Sequence, residues 1–303
     1  MTLEQLRVFV AVAEGEHMTR AARVVNLTQS ATSAAIAALE ERHGVKLFDR
    51  IGRRIALTDA GRAFLVEAKG VLARAATAEQ TLADLAGLKI GELALAASQT
   101  VGSYWLPGRI VAFHARYPGI RITLRIGNTD AVAQMTRGGE VDLGFAEGEV
   151  SDSALAIAPI DQDELVIVAA PSYRETLERL DADGLIAAPW VARERGSGTR
   201  TAFEAALAAF GVDPSHRRIG LELPSNEAIR AAVEAGAGFA VMSRLVVSAS
   251  IKAGTLAAAS LVLPRRGFFL LRHKERYESH AARAFMQAIE NYDETLGVSA
   301  AAN

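Results

Sequence analysis

A chain of 303 residues, half of them apolar, is long enough for two or three domains with real cores. Only 22% of residues are charged and 8 are proline, which excludes a disordered chain or a long Pro-rich tail. The absence of cysteine excludes disulfide frameworks, thiolate zinc sites and thiol nucleophiles, and a net charge of −2 does not by itself indicate a nucleic-acid binder.

The first stretch, MTLEQLRVFVAVAEGEH, carries Glu4 and neither a basic leader nor a small-residue cleavage site, so it does not read as a secretory signal. No apolar run reaches the ~18–20 residues that cross a bilayer. The expectation is a cytoplasmic protein with no membrane partner. Residues 1–62 hold nine Arg/Lys against seven Asp/Glu, so any nucleic-acid signal must lie in local placement of the cations.

Within LEQLRVFVAVAE, Leu3, Leu6, Phe9, Val10 and Ala13 share one helical face. Thr19 is positioned to cap a second helix running to Val25, and Thr28 a third whose Ile36 and Leu39 face inward. Two short helices joined by Asn26-Leu27-Thr28 make a helix-turn-helix pattern. VKLFDR and RIALT then read as short strands around Ile51-Gly52-Arg53-Arg54, a small basic wing.

From Thr58 a long helix is predicted to about Leu88, with Asp59 in its first turn, where negative charge suits the dipole. Phe64, Ala68, Val71, Ala75, Ala78, Leu82 and Leu85 recur at intervals of four and three, a heptad seam. Such a helix either lies on its own domain or pairs with a second copy. Its place between two globular regions and its alanines favour self-association, with Phe64, Val71, Ala75, Ala78, Leu82 and Leu85 as dimerisation residues.

After Gly91 strands alternate with helices. ELALAAS, RITLRIG, VDLGFAE and ELVIVAA are β-rich, and LPGRIVAFHARYP and TDAVAQMTRGG have helical periodicity. A second set follows: LIAAPWVAR, a helix at about 199–210, RIGLELP, the helix NEAIRAAVEAG, and FAVMSR; a closing helix is expected over 275–292. This alternation predicts two doubly wound α/β halves with a cleft between them.

FVAVAEGEHMTRAARVVNLTQSATSAAIAALE, LFDRIGRRIALTDAGR and LALAASQTVGSYWLP, in this order and spacing, resemble the LysR-type transcriptional regulators across nearly the whole chain. The resemblance implies an overall α/β protein with an N-terminal all-α winged helix-turn-helix over 1–58, a linker helix over 59–89 and a two-lobed, periplasmic-binding-protein-like effector domain over 90–303. Lobe I would take about 90–161 and 266–303, and lobe II about 162–265. It also implies a homodimer or homotetramer that binds a palindromic promoter site in double-stranded DNA and answers to a small effector, with RNA polymerase as a further candidate partner.

In that frame Thr28, Gln29, Ser30, Thr32 and Ser33 present a recognition helix to the major groove, where Gln can bond adenine twice and hydroxyls reach phosphates or base edges. The plainer alternative is that Thr28 and Ser30 only cap the helix. Arg50, Arg53 and Arg54 match the wing that reaches phosphates or the minor groove, against the plainer reading of a solvated basic turn. Family members often carry Arg, Lys or Gln where this chain has Ala34, Ala35 and Ala37, and Val or Leu at the position of Thr32. Recognition is therefore expected to lean on symmetry, the wing and DNA shape.

Ser98-Gln99-Thr100 places two hydroxyls and free N–H groups at a helix start, a ready anion site. Gly196, Ser197, Gly198, Thr199 and Arg200 do the same opposite, with a tight turn and a fork of donors. Ser225 or Asn226 begins a third helix. Each start alone reads as an ordinary cap; three together in a two-lobed domain favour a cleft for a small anion. Glu147, ending a strand where the chain crosses between lobes, would touch ligand or hinge or be a surface carboxylate. ASQTVGSYWLP and ERGSGTR look most like the branch of the family that includes regulators of sulfur and carbon assimilation, whose effectors include sulfur oxyanions and phosphorylated metabolites.

His17, His43, His114, His216, His273 and His280 show neither metal-ligand spacing nor a partnered nucleophile, and no phosphate loop or dinucleotide fingerprint is present. No cofactor, metal or enzymatic activity is expected. The competing reading is a cytoplasmic solute-binding module or enzyme on the same two-lobed fold.

Overall fold

The computed structural model describes residues 1–51, 54–85, 91–211 and 219–292. The chain divides into two compact units, Met1–Leu88 with Gly138–Glu140, and Lys89–Arg137 with Val141–Asn303.

The first unit opens with α1, Leu3–Gly15, started by a reciprocal capping box between Thr2 and Gln5. Its buried stripe is Leu6, Val8, Phe9, Val12 and Ala13, while Leu3 is exposed. The apolar face is thus turned from the expected one. Helix α2, Met18–Val24, has its cap position at His17, two residues before the proposed Thr19, and His17 makes no side-chain capping bond. In α3, Gln29–His43, Thr28 Oγ1 does accept from the Ala31 N–H, Ile36 and Leu39 are buried, and Gly44 ends the helix at φ 63°.

Strands β1, Phe48–Ile51, and β2, Arg54–Leu57, pair antiparallel with Phe48 opposite Leu57. Two tethers fix their entry. Glu40 Oε1 accepts from the backbone N–H groups of Leu47 at 2.8 Å and Phe48 at 3.2 Å, and Thr58 Oγ1 donates to Lys46 O at 2.8 Å. Helix α4, Asp59–Leu85, then starts so close to this turn that a Cβ on Gly61 would lie 2.1 Å from Leu47 O. Phe9 contacts the rings of Phe48 and Phe64, and Ala68, Leu65 and Leu72 close the same core. The first half of α4 therefore lies on its own domain.

The second unit has two five-stranded sheets. In the first, β3 (Gly91–Ser98) lies parallel to β4 (Ile120–Gly127) and to β5 (Leu143–Glu147), and β12 (Arg266–His273) runs antiparallel to β5 and to the edge strand β6 (Leu155–Asp163). In the second, β8 (Trp190–Arg193) is parallel to β9 (Ile219–Leu223) and β10 (Phe239–Ser243), while β7 (Leu165–Ala169) is antiparallel to β10 and to β11 (Ala257–Ala258). We call the parts built on these sheets lobe I and lobe II.

The inner strands β3, β5, β8 and β10, with β7, are buried on two faces, which is why they are mostly apolar runs, while the edge strands β4, β6 and β9 alternate or are exposed. Leu93, Leu95 and Ala97 of β3 face Phe113 of α5 (Leu106–Arg116) and Phe285 of α12 (His280–Glu290), whereas Ala96 faces Val132 of α6 (Thr129–Gly138). In lobe II, Trp190 packs on Phe203 of α9 (Gly198–Ala209), and Val191 on Ile229 and Val233 of α10 (Asn226–Glu234).

Several elements differ from the reading of the sequence. LIAAPWVAR is half helix: Asp181 caps a short helix, Ala182–Ala187, and the strand starts only at Trp190, beyond Pro189. Strand β6 carries Pro159, which an edge strand tolerates because one side of it needs no ladder donor. Neither β6 nor β12 stood out in the sequence. The closing helix is shorter than 275–292 and starts at Ser279, whose hydroxyl accepts from Ala282 N–H.

Candidate functional site

On the first unit, Thr28, Gln29 and Ser30 are exposed at the start of α3, Thr28 capping the helix and sharing a 3.0 Å hydroxyl bond with Ser30. Ser33 is half-buried one turn on. Thr32 corrects the expectation: it is fully buried, and its hydroxyl donates to Thr28 O at 3.0 Å, so it braces the helix start and cannot reach a groove. Arg50 and Arg54 sit on the backbone of β1 and β2, with side chains outside the described atoms, and Arg53 lies outside the described residues.

Two cations were missed. Arg20 and Arg23, exposed and three apart on α2, line a recess with Gly15, Glu16, His17 and Thr19. Their i, i+3 spacing on a short helix was the available signal.

Along α4, Phe64 leaves the proposed dimerisation set because its ring packs in its own core. Val71 and Leu82 are 43% and 68% exposed, large apolar side chains left uncovered among the described residues. Ala78 is exposed, Ala75 half-buried, and the Leu85 side chain is outside the described atoms.

In the second unit the ends of β3, β5 and β12 and the start of α9 converge on Glu147. Its carboxylate is 1% exposed and accepts from Ser98 Oγ at 2.8 Å, Thr100 Oγ1 at 3.2 Å and Thr199 Oγ1 at 3.1 Å, with Arg266 Nη1 at 3.2 Å. Ser98, Thr100 and Thr199 were expected as donors to an anion; the anion they hold is a side chain. The backbone is equally close: a Cβ on Gly198 would lie 2.0 Å from Glu147 O, and Thr129 Oγ1 donates to that carbonyl while accepting from Gly198 N–H. Only glycine fits at 198.

Around this centre Gln99 clasps the start of α10, donating through Nε2 to Pro224 O and accepting through Oε1 from Asn226 N–H. Buried Asn226 donates to Thr100 Oγ1 at 3.1 Å and accepts from Arg193 Nη1 at 3.0 Å. Thr100 is followed by a single π-helical turn, Val101–Trp105, and its hydroxyl makes no cap, which leaves it for Glu147. Gly196 turns at φ 81° and Ser197 caps α9. Arg200 corrects a second expectation. Its guanidinium is spent inside lobe II on Glu204, Glu222 and Arg193 O, so it offers no fork to the cleft.

The residues that sequence reading overlooked complete the cluster. Arg266 bonds Thr199 through Nη1 at 2.9 Å and pairs with Asp163 through Nη2; both side chains are essentially buried. Ser243 Oγ donates to Asp163 Oδ1 at 2.7 Å. Burial pushes the Asp163 carboxyl above its ordinary value, with nearby Glu147 adding to the effect and Arg266 and Ser243 opposing it. Two carboxylates thus share one guanidinium. Arg265-Arg266 before an apolar run was the one trace of this in the sequence.

Among the described residues no group of three or more His, Cys, Asp and Glu could hold a metal ion, and no helix is long and apolar enough to cross a membrane.

Two family models match the chain, the bacterial regulatory helix-turn-helix protein, lysR family, over residues 3–62 and the LysR substrate binding domain over residues 86–293. The uncharacterized HTH-type transcriptional regulator YeiE of Escherichia coli K12 is 36% identical, over 94% of this chain and 96% of its own. The HTH-type transcriptional activator CmpR of Synechocystis is 33% identical over 98% of both chains. Among solved structures, full-length CbnR complexed with its target DNA superposes with a TM-score of 0.69 at 25% identity, covering 96% of this chain and 99% of that one.

Proposed function

The chain belongs to the LysR family of DNA-binding transcriptional regulators, and on that premise we propose that its effector is a small anion taken between lobes I and II in place of the Glu147 carboxylate. As a member of a family of regulators it is not an enzyme, which sets aside the competing reading of the sequence. One observation carries the proposal: hydroxyls from both lobes and a guanidinium already converge on a carboxylate. An oxyanion of similar size offers the same acceptors. A cationic or purely apolar ligand would leave these buried donors unpaired at a cost of ~1–3 kcal/mol each.

Because the pocket carries its own anion, an incoming one must move Glu147 aside, and affinity is set by the difference between the two. The resemblance to regulators of sulfur and carbon assimilation narrows the candidates to sulfur oxyanions and phosphorylated metabolites. The remaining organisation follows the family reading: a DNA-reading domain over 1–58, a linker helix over 59–89 and an effector domain over 90–303. The protein is cytoplasmic and assembles as a dimer or tetramer through α4 from Val71 onward, holding two reading heads on a palindromic site; RNA polymerase is a further partner. In the head, Gln29 reads a base, Ser30 and Ser33 support it, and Arg20, Arg23, Arg50, Arg53 and Arg54 meet phosphate or minor groove.

The test is calorimetry of the full-length protein with sulfite, sulfate, inorganic phosphate and acetate. Thr100→Val deletes a donor while keeping shape, and weakens anion binding by on the order of 1 kcal/mol or more. Glu147→Gln removes the resident charge, and tightens binding about tenfold or more. Equal affinities in wild type and both variants place the ligand elsewhere, and no heat from any of these anions refutes the anionic reading.

A further inference from the structure

The chain passes between the lobes twice. It leaves the first sheet after Asp163, the last residue of β6, to begin β7 at Leu165, and it returns at Arg266, the first residue of β12. These two residues face each other in register across the β6–β12 ladder, and their side chains form an ion pair with 3% and 1% exposure. Asp163 is also held from lobe II, because Ser243 at the end of β10 donates to its other oxygen. The remaining amino group of Arg266 belongs to the pocket, on Thr199 and Glu147. One guanidinium therefore spans the ligand pocket and both chain crossings.

Arg266 Nε is buried and makes no hydrogen bond. Its donors are thus unevenly used, with Nη1 and Nη2 divided between two carboxylates that compete for one positive charge in surroundings where charges are weakly screened. A change in charge at Glu147 must alter how strongly Arg266 holds Asp163. We propose that Arg266 is the positioning residue through which the state of Glu147 sets the hinge between the lobes, with Asp163 and Ser243 as the hinge-side receivers. When Glu147 leaves the donors, Arg266 turns toward the newcomer, its Nε gains an acceptor, and its grip on Asp163 changes. Lobe II moves with Asp163 because Ser243 is tied to it. The ligand-driven half of this scheme rests on the anion reading above; the link between Glu147 and the hinge does not.

The chain lacks cysteine, so two spin labels can be introduced cleanly in the full-length protein, at His114→Cys on α5 of lobe I and Lys252→Cys on α11 (Arg244–Ala253) of lobe II, both exposed positions. Pulsed electron-spin distance measurement then reads the separation of the lobes. Glu147→Gln is expected to shift the distance distribution, and adding Asp163→Asn to abolish that shift. Ser243→Ala, which cuts only the lobe II tether of Asp163 and one turn bond, should reduce it, and serves in place of Asp163→Asn if circular dichroism shows that variant misfolded. A shift of equal size with the receivers intact or removed overturns the inference, as does no shift on Glu147→Gln. With sulfite as probe, Asp163→Asn is expected to lose the sulfite-induced shift, and a shift of wild-type size in that variant overturns the inference. If wild type binds none of sulfite, sulfate, inorganic phosphate and acetate, the anion reading fails, and the Glu147→Gln comparison still decides the hinge.

Discussion

Removing the Glu40 carboxylate is expected to loosen the DNA-reading unit while leaving the other unit untouched. Glu40 stands in the last turn of α3, 8% exposed, and its Oε1 takes the N–H groups of Leu47 and Phe48. In Glu40→Ala both donors lose a charged acceptor, at ~1.5–3 kcal/mol each. The ion pair with Lys46 adds little, since the Lys46 side chain is 77% exposed. The expected loss is about 3–6 kcal/mol, which for a unit of this size lowers the melting temperature by roughly 12 °C or more. Glu40→Gln keeps an acceptor and should lose less than half of that. Calorimetric melting of the full chain resolves the effect, and fluorescence supplies the control, because both tryptophans, Trp105 and Trp190, belong to the second unit. The sign with pH follows from the carboxyl itself. Burial alone would raise it, but the bonds from Lys46, Leu47 and Phe48 outweigh burial and hold it below its ordinary 4.5. Its contribution is therefore complete above pH 4.5 and fades as pH falls through the depressed value, so the gap between wild type and Glu40→Ala should close in acid. A first transition unmoved by Glu40→Ala at neutral pH would refute the tether.

Gln29→Ala should cost roughly 1–3 kcal/mol on the cognate site and far less on unrelated DNA, whereas Arg53→Ala should weaken both and flatten the salt slope by about one; equal losses for Gln29→Ala on the two DNAs would make it a positioning contact. Replacing Val71 and Leu82 together by Glu sets like charges along the exposed half of α4, so sedimentation should show separated chains and operator affinity should collapse. An unchanged oligomer after this double substitution would move the interface off α4.

The elements that the sequence announced are those whose pattern is local. The cap at Thr28, the pairing of β1 with β2, the start of α4 at Asp59 and the apolar strands β3 and β5 each declare themselves within a few residues. The seam on α4 failed at Phe64 for a related reason. A heptad pattern says that one face is buried but not by whom, and the first two turns turn that face to Phe9 and Phe48 of their own domain while Val71 and Leu82 stay bare. Only the contacts across thirty or more residues, such as Phe9 with Phe48, divide the helix into a half that belongs to the fold and a half available for assembly.

The pocket shows the same limit in electrostatic terms. Ser98, Thr100 and Thr199 could be picked out because hydroxyls at helix starts are donors with no local acceptor, and that property is written in adjacent residues. The acceptor they use comes from 47 to 52 positions away, and the cation that balances it comes from beyond position 260. A strand that ends in Glu147 looks the same whether the carboxylate meets water or three buried hydroxyls, and Arg266 looks like half of a surface pair until β6 and β12 are placed side by side. Reading helix starts as anion sites therefore picked out hydroxyls whose acceptor in the fold is the Glu147 side chain. On the reading proposed above, the departure of Glu147 is the step that a ligand must drive, because three buried hydroxyls and the Arg266 guanidinium already hold its carboxylate.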